Sequence, residues 1–103
     1  MNFEINKVYT IKLNSGEELI AKVLNTIDMQ SVVVTISDPV SIAPGQQGMQ
    51  MIPSMFTAEP GKSVTLNTNS IAMYAETEDG IKMKYIEATT GIKVPETKKI
   101  ILG

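Results

Sequence analysis

Cysteine, histidine, tryptophan and arginine are all missing from this sequence. Without cysteine there is neither a disulfide framework nor a thiol nucleophile. Without histidine or cysteine a zinc site has lost its ordinary ligands, and the commonest general base is gone with the histidine. Carboxylates and lysines remain. Glu17 and Glu18, however, have no histidine or second carboxylate pair set against them, and read as hairpin surface. No catalytic residue, metal or cofactor is expected, and the chain reads as a non-enzyme. No apolar run approaches the ~20 residues of a membrane helix, and the first residues lack the basic-then-apolar pattern of a secretory signal. The expected compartment is the cytoplasm.

What is present is ordinary for one small domain: 103 residues, 43% hydrophobic and 19% charged, with a formal net charge of −2. A core of that size is modest, and burial between subunits would add to it. All nine basic residues are lysines. The acidic balance argues against a dedicated duplex-DNA binder, although a local lysine-lined groove stays open.

Residues 8–37 carry a β pattern. Tyr9, Ile11 and Leu13 alternate with polar or small residues, the period of a half-buried strand. Asn14, Ser15 and Gly16 are a turn signal, with Gly16 free to take positive φ. Residues 17–24 return as a second strand, which predicts a hairpin. Residues 25–28 suggest a bend, and residues 31–36 are the densest β-branched run in the chain, a third strand. Alternation resumes over residues 40–42, so Pro39 predicts a bulge or sharp bend. Residues 49–56 read as a fourth strand in which Pro53 marks a free edge. Residues 64–66 suit a short strand, residues 67–70 a tight turn, and residues 71–75 a fifth strand. Thr77 can cap a helix whose first turn carries acids and which stops at Gly91. The rival there is a sixth strand on the alternation Ile81, Met83, Tyr85. One domain over residues 1–92 results, its helix spanning residues 78–90, with residues 93–103 a loose tail in which Ile100, Ile101 and Leu102 could dock.

Five short strands, the first two in a tight hairpin, read as a small barrel, and SH3-like, OB-like and Sm-like barrels all share that pattern. Two stretches resemble the Sm-like family. Residues 8–34 are similar to its first motif: Asn14 and Gly16 lie near the family's turn, Val23 falls where leucine is usual, Val34 takes the last apolar position, and Ala21 replaces a usual glycine. Leu66, Asn67, Thr68, Asn69, Ser70 and Ile71 are similar to its second motif, with Asn67 in place of arginine and Thr68 in place of glycine. The whole chain also resembles the small Sm-like proteins of marine cyanophages, whose setting is the infected bacterial host.

The resemblance implies an all-β fold, a five-stranded, strongly bent small β-barrel, here with a short C-terminal helix. It implies subunits joined edge to edge, the fourth strand against the fifth of the next, in a homo-oligomeric ring of about five to seven copies. The strands that carry Met49, Met51, Met55, Ile71 and Met73 lack charges that would protect a free edge, so these residues are expected at the subunit interface. The family binds single-stranded nucleic acid, RNA more than DNA, through two loops. Here the first is Asp28, Met29, Gln30 and Ser31, and the second is Asn67, Thr68 and Asn69. Amides present paired donors and acceptors to a base edge. With no arginine–glycine pair, the preference implied is broader or weaker than uridine specificity. Tyr9, Tyr74 and Tyr85 are stacking candidates, but each lies in an apolar pattern and is expected in the core. Lys82, Lys84, Lys98 and Lys99 alternate with Glu78, Asp79 and Glu87 as a solvated mixed face. The alternative function is a structural or protein-interaction ring, such as a phage assembly or host-takeover component, without nucleic acid.

Overall fold

The computed structural model describes residues 2–26, 32–45, 48–59 and 61–90. Six strands and a helix follow one another as β1 (Val8–Leu13), β2 (Glu18–Thr26), β3 (Val33–Gly45), β4 (Gly48–Pro53), β5 (Val64–Asn67), β6 (Ile71–Glu76) and α1 (Asp79–Thr90). The strands make one bent antiparallel sheet in the order β4-β3-β2-β1-β6, with β5 on the other half of β3.

The β1–β2 hairpin closes as its turn residues predict. Gly16 sits at φ 97°, its N–H donates to the Leu13 carbonyl at 2.9 Å, and the Leu13 N–H donates to the Glu17 carbonyl at 2.8 Å. This is a three-residue loop whose last residue is left-handed, where glycine avoids the Cβ penalty.

The bend falls beside Pro39, at Asp38, which takes φ 51°. Aspartate tolerates that region because its side chain is short and polar. On the near side of the bend Val33 to Ile36 pair with β5. On the far side Val40 to Gly45 pair with β4. The β2–β3 register shifts between Ile20 and Lys22 and again between Val23 and Asn25, as β2 follows the curve.

The expected five-stranded barrel needs correcting on its strand count. Pro53 ends β4, residues 54–59 lie outside the sheet, and the chain rejoins β3 as β5 at Val64. A strand of 13 residues has room for two partners end to end. Among the described residues no ladder joins β6 to β4 or β5, so the sheet is bent but open. A single 3-10 turn at Thr68–Ser70 separates β5 from β6, which turns away to pair with β1.

Two hydrophobic clusters form on the sheet. Alternate residues of β2 explain why: Leu19, Ala21 and Val23 join Phe3, Tyr9, Ile11, Val34, Ile36 and Ile71 in the first. Ile20 joins Val8, Val40 and Tyr85 in the second, the side-chain period of two sending neighbours to opposite faces. The helix forms over residues 79–90 in preference to a strand, and Ile81 and Tyr85, one turn apart, both pack on the second cluster.

The cap of α1 is another correction. The Ile81 N–H donates to Glu78 Oε1 at 2.8 Å, so Glu78 caps the helix. Thr77 instead lies buried against β1, its hydroxyl 3.0 Å from that of Thr10 and its N–H donating to the Val8 carbonyl. Among the described residues no helix is long and apolar enough to cross a membrane. The readings of Gly91 as a helix stop and of residues 93–103 as a loose tail lie outside the described residues.

Candidate nucleic-acid interface

The corner between β5 and β6 is built almost entirely from small polar residues. Asn67 precedes the 3-10 turn in extended conformation, and its side-chain Oδ1 accepts the Asn69 N–H at 2.9 Å. The hairpin tip holds the turn from the other side. The Asn14 N–H donates to the Ser70 carbonyl at 2.7 Å, and Asn14 Nδ2 donates to the Asn69 carbonyl at 2.8 Å. Asn14 therefore clamps a turn 55 positions away in sequence.

The consequence for the expected binding residues is a division of labour. Asn67 is exposed but spends its carbonyl oxygen on the cap. Asn69 is exposed too, and only its backbone is engaged; its side-chain amide has no partner among the described residues. Thr68 is half-buried, with its N–H donating to the Val32 carbonyl at 2.7 Å. Asp28, Met29, Gln30 and Ser31 lie outside the described residues. Val32, which follows them in sequence, is fixed beside Thr68.

No charged side chain occurs from Ser63 to Ala75, nor anywhere in residues 39–58. The corner is thus an electrically neutral surface of amides and hydroxyls. It can read hydrogen-bonding edges, but it cannot neutralise phosphates.

The tyrosines are not available for stacking. Tyr9 and Tyr85 are buried, and Tyr74 is half-buried. Phe3 sits 4.9 Å from Tyr9 and 4.4 Å from Tyr74, ring centre to ring centre, so the three rings form one cluster. The Tyr9 hydroxyl accepts the Glu4 N–H, and the Tyr74 hydroxyl accepts the Asn2 N–H.

The five residues assigned to the edges divide. Met49, Met55 and Met73 are exposed, Met51 packs partly buried on the second cluster, and Ile71 is buried in the chain's own first cluster.

A cleft of about 380 Å³ lies between α1 and the sheet, with Lys7, Lys22 and Lys82 on its walls together with Asp38 and Glu76. Lys7 is held between Glu4 and Glu76, each at 3.4 Å. Those two carboxylates, Glu4 first, raise its pKa above the ordinary lysine value. Mixed charges answer one another there, and nothing in the cleft gathers a single sign. Among the described residues no group of histidine, cysteine, aspartate or glutamate is placed to hold a metal ion.

Sequence reasoning missed three features of this surface. That the Asn67 side chain, and not that of Asn69, is engaged among the described residues needs the cap geometry. The clamp by Asn14 needs the hairpin to meet the turn. Phe56 is 78% exposed, where the sequence pattern places it at the end of a strand. No family model matches this chain, and no curated protein matches it.

Proposed function

We propose that the chain is a subunit of an Sm-like homo-oligomeric ring that binds single-stranded nucleic acid, RNA before DNA, through the corner between β5 and β6. The observation that carries the reading is the placement of Val32 against Thr68. It sets Val32, the residue that follows the first expected binding segment in sequence, beside the turn of residues 67–69. The strand order supports the ring. β6 and the β4–β5 side are the two outer limits of one sheet, and neither strand run carries protective lysines.

The mode of binding follows from the neutral corner. Asn69 offers both halves of its amide to a base edge, Thr68 adds a hydroxyl, and Asn67 keeps the turn in shape. Phosphates contribute little there, so affinity is micromolar in scale and only weakly salt-dependent. A fluorescence-anisotropy titration with oligo-U, oligo-A and mixed single-stranded DNA at two salt concentrations tests this. Asn69→Ala is the informative variant, expected to weaken binding about five- to tenfold without loss of the turn. Absence of binding by an assembled ring at low salt overturns the reading.

The second reading, a ring whose faces bind protein, is favoured by the run without charge over residues 39–58 and by the exposed Met49, Met55 and Phe56 on it. It predicts a ring that ignores every oligonucleotide.

A further inference from the structure

The floor of the cleft between α1 and the sheet follows from strand register. Val8 pairs with Lys22 and Lys22 with Ser37, so the three side chains stand in a row across β1, β2 and β3 on one face. It is the face of the second hydrophobic cluster, where Ile20, two positions before Lys22 on β2, is buried with Val8. Lys22 therefore occupies a place where the alternation along β2 calls for an apolar residue, half-buried beside the helix. The helix supplies the opposite wall with Lys82, Ile86 and Thr89, one stripe at helical spacing.

The charges along this cleft are only partly paired. At one end Lys7 is held by Glu4 and Glu76. Lys22 and Asp38 line the same cleft, yet neither has an ion-pair partner among the described residues. Lys82 has Asp79, on its own helix at 3.9 Å, whose side chain is 97% exposed. Two ammonium groups and a carboxylate thus line one cavity of about 380 Å³ without neutralising one another. The backbone is unusual at the same place. Asn6 and Asp38, the two non-glycine residues of positive φ among the described residues, both line the cleft, and such conformations gather at ligand sites. The Thr89 hydroxyl donates to the Tyr85 carbonyl at 2.8 Å, which leaves its oxygen to accept from a ligand.

We infer that this cleft binds a small zwitterion, a free amino acid with an apolar side chain, its carboxylate on Lys22 and Lys82 and its ammonium on Asp38. A lone anion would satisfy the lysines and leave Asp38 unpaired, and a lone cation would do the reverse. A ligand that carries both signs on one carbon uses all three groups. Val8, Leu24 and Ile86 give its side chain an apolar surface, and the volume is that of a small-molecule site. None of the lining residues belongs to the corner between β5 and β6, so this site stands or falls apart from the nucleic-acid reading.

Saturation-transfer difference NMR of the full chain with L-leucine tests the site, whether the protein is a monomer or a ring. Saturable binding is expected, with Kd on the order of 1 mM. Isocaproate, which is leucine without its ammonium, and isoamylamine, which is leucine without its carboxylate, should each bind about tenfold more weakly. Lys22→Gln keeps the aliphatic stem, Asp38→Asn suits the left-handed bend, and each should weaken leucine binding about tenfold. Lys82→Gln should weaken it about threefold, and Lys12→Gln, exposed and outside the cleft, should leave it unchanged. Should Lys22→Gln fail to fold, Asp38→Asn and Lys82→Gln decide. No saturable binding of leucine, or binding that Asp38→Asn and Lys82→Gln leave unchanged, overturns the proposal. Isocaproate bound as tightly as leucine makes this a plain anion site and overturns the zwitterion assignment.

Discussion

The two hydrophobic clusters sit on opposite faces of the same strands and are built on different principles. The first is enclosed by the sheet itself. β1, β2, the first half of bent β3 and β6 all contribute, and its bulkiest fully buried members, Ile11 and Ile36, are at most 1% exposed. The second exists because one helix docks. It contains four buried residues, and Tyr85 alone brings α1 to it as a fully buried side chain. The Tyr85 hydroxyl donates to the Ser37 and Asp38 carbonyls, both at 3.0 Å. Both carbonyls lie at the bend, where Asp38 is left-handed. One cluster thus belongs to the sheet and Phe3, and the other is a patch that the helix seals over the bend.

That contrast can be broken by experiment. Truncating the enclosed cluster should hurt most: Ile11→Ala or Ile36→Ala is expected to cost about 2–5 kcal/mol in urea denaturation. In a domain whose total stability is of the usual 5–15 kcal/mol order, that is about a third of the whole. Tyr85→Phe keeps the apolar ring but removes the hydroxyl donor shared by the two carbonyls, and should cost about 1–2 kcal/mol. Its far-UV circular dichroism should lose helix before it loses strand on heating. If Tyr85→Phe costs as much as Ile36→Ala, the two clusters are one cooperative unit and the distinction fails.

Alkaline pH sharpens the same point. Burial, followed by the nearby Asp38 carboxylate, raises the Tyr85 phenol above its ordinary value of 10.0. A phenol harder to ionise in the folded state is one whose unfolded form gives up its proton first. Stability is therefore retained below pH 10 and falls as pH rises past the unfolded value. Tyr85→Phe should flatten that fall, read as Tm against pH. The smallest effect belongs to the bend itself. Asp38→Gly suits φ 51° and should change stability by less than about 1 kcal/mol, whereas Asp38→Val should cost about 1–2 kcal/mol.

The corner between β5 and β6 shows how far a local pattern reaches. Asn67, Thr68 and Asn69 are turn formers by type, and the turn is there. Which side chain the turn engages was not legible, because it depends on Asn67 bending back to cap the turn and on Asn14 arriving from the hairpin. Thr77 failed as a cap for a similar reason. Locally it is the better capping residue, but the strand it follows carries it into contact with Thr10, and the cap falls to Glu78.

By itself the sequence determined the elements whose cause is local: the hairpin at Gly16, the kink beside Pro39, the helix that spaces Ile81 and Tyr85 by one turn. Periodicity and turn chemistry act over a few residues and are written in them. Only the tertiary structure decided that the short strand Val64–Asn67 pairs with β3, that Phe3 closes the aromatic cluster, and that Phe56 lies 78% exposed. Each of these depends on which segments meet across dozens of positions, and on how much of a long bent strand is left for a second partner. Hydrogen bonds and burial settle those choices together, and no window of the sequence contains both sides of the contact.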